Sequence, residues 1–245
     1  HARCAPLLHS ARLSPPVPNT VRLLLAPMEG VIDHRMRALL TSLGGLDRCV
    51  TEFLRVSHQL LPPRVFLRLC PELATGGATP SGVPVYLQIL GGDPSVVADN
   101  AARAAELGAR GIDLNFGCPA KTVNRSDGGS VILREPERVR RITAAARVAV
   151  PARCPLTVKI RLGFADRSPF LDVVRAVEEA GASELVVHAR TRADGYRPPA
   201  YWGEIARARE LLTIPVIANG EIWSPDDARR CRQRAACGRS DGRHG

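Results

Sequence analysis

A chain of 245 residues suffices for one large domain, near the length at which (β/α)8 barrels commonly occur. Hydrophobic residues make up 45% of it, yet no apolar run reaches the roughly 18 residues a membrane span needs, so a soluble protein with no membrane partner is expected. The net charge of +10 favours an acidic partner such as nucleic acid, although an Arg-, Ala-, Gly- and Pro-rich composition accounts for part of that excess, and 4% aromatics exclude a base-stacking platform.

Residues 1–20 carry several Pro and Arg, have no periodicity and lack the apolar core of a signal peptide. They read as a disordered leader, or as an artefact of where the translated sequence starts. From Thr20 onward short apolar runs alternate with amphipathic or Ala-rich stretches. Strands are expected at Arg22–Met28, Cys49–Phe53, Val83–Leu90, Gly111–Phe116, Leu156–Leu162, Glu184–Ala189 and Ile214–Asn219. Helices are expected at Asp33–Ser42, Pro94–Leu107, Pro136–Val148, Phe170–Ala180, Trp202–Leu212 and Pro225–Arg234. Pro94, Pro136 and Pro225 suit a first helical position, Asp93 and Ser224 suit N-caps, and Gly108 and Gly181 suit helix ends. Alternating strand and helix implies a parallel sheet, and a (β/α)8 TIM barrel fits best, with its eighth strand unaccounted for.

The polar residues gather at the C-terminal ends of these runs, which in a barrel ring the mouth that holds the active site. They include Glu29 after the first run, Arg55 after the second, Gln88 in the third, Asn115 with Cys118 at the fourth, Lys159 and Arg161 in the fifth, His188 in the sixth, and Asn219-Gly220-Glu221 at the seventh. Lysine occurs only twice, as Lys121 and Lys159, and both lie in these phrases. Its compact titratable charge, where arginine would give a fixed fork, suggests a chemical requirement. Cys118 sits in a Gly-Cys-Pro turn, which puts its sulfur at the mouth, where it could donate a proton, attack as a nucleophile or be inert. The seven cysteines form no C-x-x-C pair, so neither a disulfide framework nor a metal site is expected, and a reducing cytoplasm fits.

Ala26-Pro27-Met28, Gln88, Asn115-x-Gly-Cys118-Pro119, Gly128-Gly129-Ser130, Val158-Lys159-Ile160-Arg161, His188-x-Arg190-Thr191 and Asn219-Gly220-Glu221 together resemble the tRNA-dihydrouridine synthases, in order and spacing, over residues 21–230. The phrases Ala-Pro-Met-Glu-Gly-Val, Thr-Glu-Phe-Leu-Arg-Val and Ala-Asn-Gly-Glu-Ile-Trp are most similar to the bacterial C-type subgroup, associated with U16 of the tRNA D-loop. The resemblance implies an FMN-dependent reduction of the uracil C5–C6 bond, with NADPH as reductant. Hydride would pass from flavin N5 to C6 and a proton from Cys118 to C5. It also implies that Pro27, Met28, Glu29, Gln88, Asn115, Lys159, His188, Asn219, Gly220 and Glu221 surround the flavin, and that Arg55, Asn115, Lys121 and Arg161 face tRNA phosphate or an extruded base. The sequence does not establish an oligomeric state, and a monomer is the expectation. Two alternatives stay open: another FMN barrel acting on a small molecule, and an RNA-binding remnant without flavin.

The resemblance lapses after residue 230. The family's next strand, ending in Gly-Arg-Gly, and its tRNA-gripping helical domain have no counterpart in residues 231–245, which read as an irregular tail with the character of a shifted frame. An incomplete barrel with weak FMN binding is the expectation.

Overall fold

The structure is a computed structural model and describes residues 22–236. Seven strands, β1 (Leu24–Leu25), β2 (Arg48–Arg55), β3 (Val85–Leu90), β4 (Ile112–Phe116), β5 (Leu156–Arg161), β6 (Glu184–His188) and β7 (Val216–Asn219), form one parallel sheet in sequence order. Eight α-helices among the described residues connect or follow them: α1 (His34–Ser42), α2 (Pro63–Leu69), α3 (Pro94–Glu106), α4 (Lys121–Arg125), α5 (Pro136–Ala149), α6 (Phe170–Glu179), α7 (Trp202–Leu211) and α8 (Pro225–Ala236). This is the strand–helix repeat of a TIM barrel, incomplete by one unit among the described residues.

Local chemistry sets the element ends. Asp93 accepts from the backbone N–H of Ser95 and Val96 and so satisfies two orphan donors of α3. Ser224 and Asp227 cap each other's backbone at the start of α8. Pro94, Pro136 and Pro225 each open a helix. Gly108 (φ +93°) and Gly181 (φ +84°) take the left-handed conformation just beyond α3 and α6, where a side chain would be strained.

Two corrections concern the first and last units. The first strand spans two residues instead of seven, because Met28 begins a tight turn in which its carbonyl accepts from Val31 and Ile32. The last helix, expected to give way to an irregular tail at residue 231, runs on to Ala236 with Cys231 and Ala235 buried. The remainder of the expected tail, 237–245, and the expected leader, 1–20, lie outside the described residues. So does any eighth strand. Helices α2 and α4 were not foreseen, being only seven and five residues long.

Alternation in the strands builds the core. Ile112, Leu114 and Phe116 of β4 and Leu156, Val158 and Ile160 of β5 are at most 1% exposed and belong to one continuous apolar cluster. Fully buried alanines (Ala101, Ala104, Ala146) let α3 and α5 approach closely over this face. The opposite faces of the strands carry the polar residues. At the barrel bottom Glu184, starting β6, takes both Arg48 of β2 and Arg22 ahead of β1, and Arg48 also lies 4.4 Å over the Tyr86 ring. Those cross-sheet contacts require a curled sheet. Among the described residues the curl does not close: β7 and β1 are both edge strands, and every residue of β7 is half-buried.

Candidate active site

The site begins with a defect in β2. Val50 pairs with Tyr86 and Phe53 with Gln88, so β2 holds one extra residue there, a bulge of the kind that often flanks active sites. Thr51, inside the bulge, accepts the Gln88 backbone N–H through its hydroxyl at 3.0 Å. A side chain thus replaces the ladder acceptor that the bulge removed.

From Gln88 a chain of hydrogen bonds leads up to the mouth. Gln88 Nε2 donates to Asp113 Oδ2 at 2.7 Å, while Gln88 Oε1 accepts from Asn115 Nδ2 at 2.8 Å. Asn115 Oδ1 then accepts the backbone N–H of Gly117 at 2.9 Å and of Cys118 at 3.0 Å. The other side of the Cys118 peptide is held equally firmly. Its carbonyl accepts from the Ser130 backbone N–H at 3.0 Å and Asn124 Nδ2 at 3.1 Å, and Ser130 Oγ in turn donates to Asn124 Oδ1 at 2.9 Å. Gly129 (φ +67°) makes this packing possible, since a Cβ there would lie 2.8 Å from the Cys118 carbonyl oxygen.

Burial raises the Cys118 thiol above its ordinary value, with Glu29 adding to the effect. The Ala120 backbone N–H and the Arg161 and Arg55 charges pull the other way without reversing it. A protonated thiol at neutral pH is therefore presented in a fixed turn, which suits a general acid.

Facing it from β5, β6 and β7 is a cationic group. Lys159 Nζ donates to Asn219 Oδ1 at 2.9 Å, and its pKa is lowered to about 8, first by burial and then by nearby Arg161, with Asp113 opposing. Burial, followed by Arg161, Lys159 and Arg190, pushes His188 down to about 3, so its ring is neutral at physiological pH. Arg190 is 3% exposed, meets the Glu221 carboxylate, and has no hydrogen-bond partner at Nε among the described residues. Gly220 (φ +106°) brings backbone against the imidazole, where a Cβ would lie 3.1 Å from His188 Cδ2. The left-handed Glu221 (φ +58°) follows, with Trp202 Nε1 donating to the Gly220 carbonyl at 2.9 Å.

The residues anticipated from sequence thus divide into groups. Gln88, Asn115, Cys118, Lys159, His188, Asn219, Gly220 and Glu221 converge on one mouth. Pro27, Met28 and Glu29 lie in the turn after β1, with Met28 57% exposed and Glu29 electrostatically coupled to Cys118. Arg55 and Lys121 are exposed beside the Cys118 loop, Arg55 donating to the Thr122 carbonyl at 3.2 Å. Arg161, expected to face tRNA phosphate or an extruded base, lies deep in the mouth. It is 2% exposed, and its guanidinium donates to the carbonyls of Gly117, Thr191 and Gly195 at 2.8–3.1 Å, so it can meet only a group inserted into the mouth.

Sequence reasoning missed Asp113, Asn124, Tyr196 and the pairing of Arg190 with Glu221. Two-residue alternation was the available signal: Asp113 precedes Asn115 on the inward face of β4, and Arg190 follows His188 beyond β6. Tyr196, 70% exposed, has its ring 5.9 Å from that of His188 and 5.1 Å from the Arg161 guanidinium, and no periodicity marks it. Among the described residues no His, Cys, Asp and Glu cluster could hold a metal ion.

Strand-end polar groups around the mouth of a parallel strand–helix barrel define a TIM-barrel enzyme of the class that works on a ligand held at that mouth. Solved structures share the fold at low identity. Histamine dehydrogenase from Rhizobium sp. 4-9 aligns with a TM-score of 0.60 at 17% identity, over 86% of this chain and 42% of that one. Phosphonopyruvate hydrolase aligns with a TM-score of 0.57 at 15% identity, over 89% and 72%. Sequence relatives are far nearer. The tRNA-dihydrouridine(16) synthase of Shewanella oneidensis is 58% identical over 217 residues, 89% of this chain and 69% of that protein. Proteins of the same name from Pseudomonas syringae pv. tomato and Haemophilus influenzae are each 52% identical, over 90% and 89% of this chain and 69% and 70% of theirs. The dihydrouridine synthase (Dus) family profile matches residues 24–239. The chain belongs to the dihydrouridine synthase family.

Proposed function

We propose that this chain carries the catalytic barrel of a tRNA-dihydrouridine synthase that reduces a uridine of the D-loop, position 16 by analogy with the names of its relatives. The observation that carries this reading is the Cys118 thiol. It is kept protonated, fixed through both its peptide groups, and set at the same mouth as the Lys159, Arg161 and Arg190 cations.

The mouth fits a flavin such as FMN. Lys159 is a part-buried cation whose hydrogen bond goes to a neutral amide, and Arg190 keeps a buried Nε with no hydrogen-bond partner among the described residues. Such a site accommodates a planar ligand that carries negative charge. When bound and reduced by NADPH, the flavin supplies the hydride for C6 of the uracil. Lys159 would offset charge near N1 and O2, and with Gln88 and Asn115 it would fix the ring's polar edge. His188, Asn219, Gly220 and Glu221 would line the ribityl and phosphate side, and the turn at Pro27, Met28 and Glu29 would lie against the ring.

Cys118 then gives its proton to C5 from the opposite face of the base. Arg161, anchored by three carbonyls, would meet the extruded uracil, and exposed Arg55 and Lys121 would take up tRNA phosphates beside the Cys118 loop. A cytoplasmic enzyme is implied by its substrate.

The test is direct. The purified chain is incubated with FMN, NADPH and tRNA transcribed without modifications, and the oligonucleotides released by a base-specific ribonuclease are analysed by mass spectrometry. Dihydrouridine confined to the D-loop supports the reading. NADPH oxidation that is indifferent to tRNA would instead mark an oxidoreductase of small molecules.

A further inference from the structure

We infer that Asp113 is the positioning residue for Cys118, acting through the amides of Gln88 and Asn115. The inference rests on the reading of Cys118 as the proton donor. Its basis lies in the directionality of the chain. A primary amide can face either way, and each of the two buried amides here has one donor end and one acceptor end. Asp113 breaks the symmetry. It is 1% exposed, its Oδ1 is occupied by the Thr157 hydroxyl, and its Oδ2 accepts from Gln88 Nε2 at 2.7 Å. An acceptor at that point forces Gln88 to turn its own oxygen upward. That oxygen takes Asn115 Nδ2, so Asn115 must in turn point Oδ1 at the mouth, where it receives the Gly117 and Cys118 N–H groups.

Without the carboxylate either amide can flip. A flipped Asn115 would set its NH2 against two backbone N–H donors, an arrangement with no acceptor. The Gly-Cys-Pro turn would then have to shift, and the thiol with it. The carboxylate also faces charges on other strands, since Lys159 on β5 and Arg48 on β2 both favour its ionised form against the burial that raises its pKa.

The cost of burying Asp113 is offset by the Thr157 and Gln88 hydrogen bonds and by the nearby Lys159 and Arg48 charges, and the acceptor it fixes sets the direction of the chain.

The experiment measures the reactivity of Cys118 in the full chain, without tRNA or flavin, by iodoacetamide labelling across pH with peptide-level mass spectrometry. Cys49 and Cys70, both buried, serve as internal reporters of an intact fold. In Asp113→Ala the released thiol should label about 10-fold faster at pH 7.5, and its labelling midpoint should fall towards that of a free thiol, while Cys49 and Cys70 stay unlabelled. Single-turnover uridine reduction should drop at least ~10-fold, as expected when a reacting group is misplaced by a fraction of an ångström to one ångström. Asp113→Asn, an amide that can present either its oxygen or its NH2 to Gln88, should give labelling and reduction rates between those of the unmodified chain and Asp113→Ala. Gln88→Met, breaking the same chain one link higher, should reproduce the labelling change and keep the test open should Asp113→Ala fail to fold. A Cys118 labelling profile unchanged in both Asp113→Ala and Gln88→Met would overturn the inference. Because labelling is read without substrate, that result is distinct from a failure of the chain to make dihydrouridine.

Discussion

Lys159 Nζ reaches past β6 to donate to Asn219 Oδ1 at 2.9 Å, tying the ends of two strands that are not neighbours in the sheet. The bond aims an ammonium into the mouth while leaving it without a carboxylate acceptor, which is why burial lowers its pKa to about 8 from the ordinary 10.5.

Lys159 should cost stability in the free chain. The unfolded state keeps its proton up to about pH 10.5, whereas the folded state releases it near pH 8, so unfolding takes up a proton in that window and stability rises with pH between those values. Below pH 8 the full penalty applies. Replacing Lys159 by Met should raise Tm at pH 7 by about 2–4 °C and remove the gain on going to pH 10. The same change should weaken flavin binding by one to two orders of magnitude, roughly the worth of a charge-assisted hydrogen bond. Thermal melts and flavin fluorescence titration check both; a variant with unchanged Tm and unchanged flavin affinity would place Lys159 outside the site.

His188 should make the chain sensitive to acid. Its folded pKa, about 3, lies below the ordinary 6.5, so the unfolded state binds more protons between those values and stability is lost as pH falls through that range. One proton accounts for about 1.4 kcal/mol per pH unit. His188→Gln should flatten the dependence of the urea midpoint on pH between 6.5 and 4. An equally steep profile in the variant would assign the acid sensitivity to other groups.

Gly129→Ala tests the packing behind the thiol. The new Cβ would require the left-handed φ of +67° and would lie 2.8 Å from the Cys118 carbonyl oxygen and 3.2 Å from its Cβ. A loss of about 1–3 kcal/mol in stability is expected from the backbone alone. Uridine reduction should fall further than flavin affinity, because the displaced group is the Cys118 turn. Equal activity in the variant would show that the turn tolerates movement.

Much of this architecture was legible before any coordinates. The strand-end phrases located the mouth because barrel strands carry their chemistry at one end, and Asp93, Ser224, Gly108 and Gly181 marked helix ends through capping chemistry that acts within a few residues. What stayed hidden depends on contacts distant in sequence. Arg161 reads as surface charge until Gly117, Thr191 and Gly195 are seen to surround it. Asp113 gains meaning only beside Gln88, 25 positions earlier. The two-residue first strand was obscured by an apolar run that continues into the Met28 turn, where backbone hydrogen bonding, not hydropathy, ends the extended chain.

The central claim, that Cys118 donates the proton to C5 of uridine, is tested most directly by a single-turnover experiment with Cys118→Ala, flavin already reduced, and unmodified tRNA. The account predicts flavin affinity and NADPH-driven flavin reduction close to those of the unmodified chain, with dihydrouridine formation slowed at least ~100-fold, the low end for loss of a general acid. Dihydrouridine formed by the variant at a near-normal rate would contradict it and remove Cys118 from the chemistry.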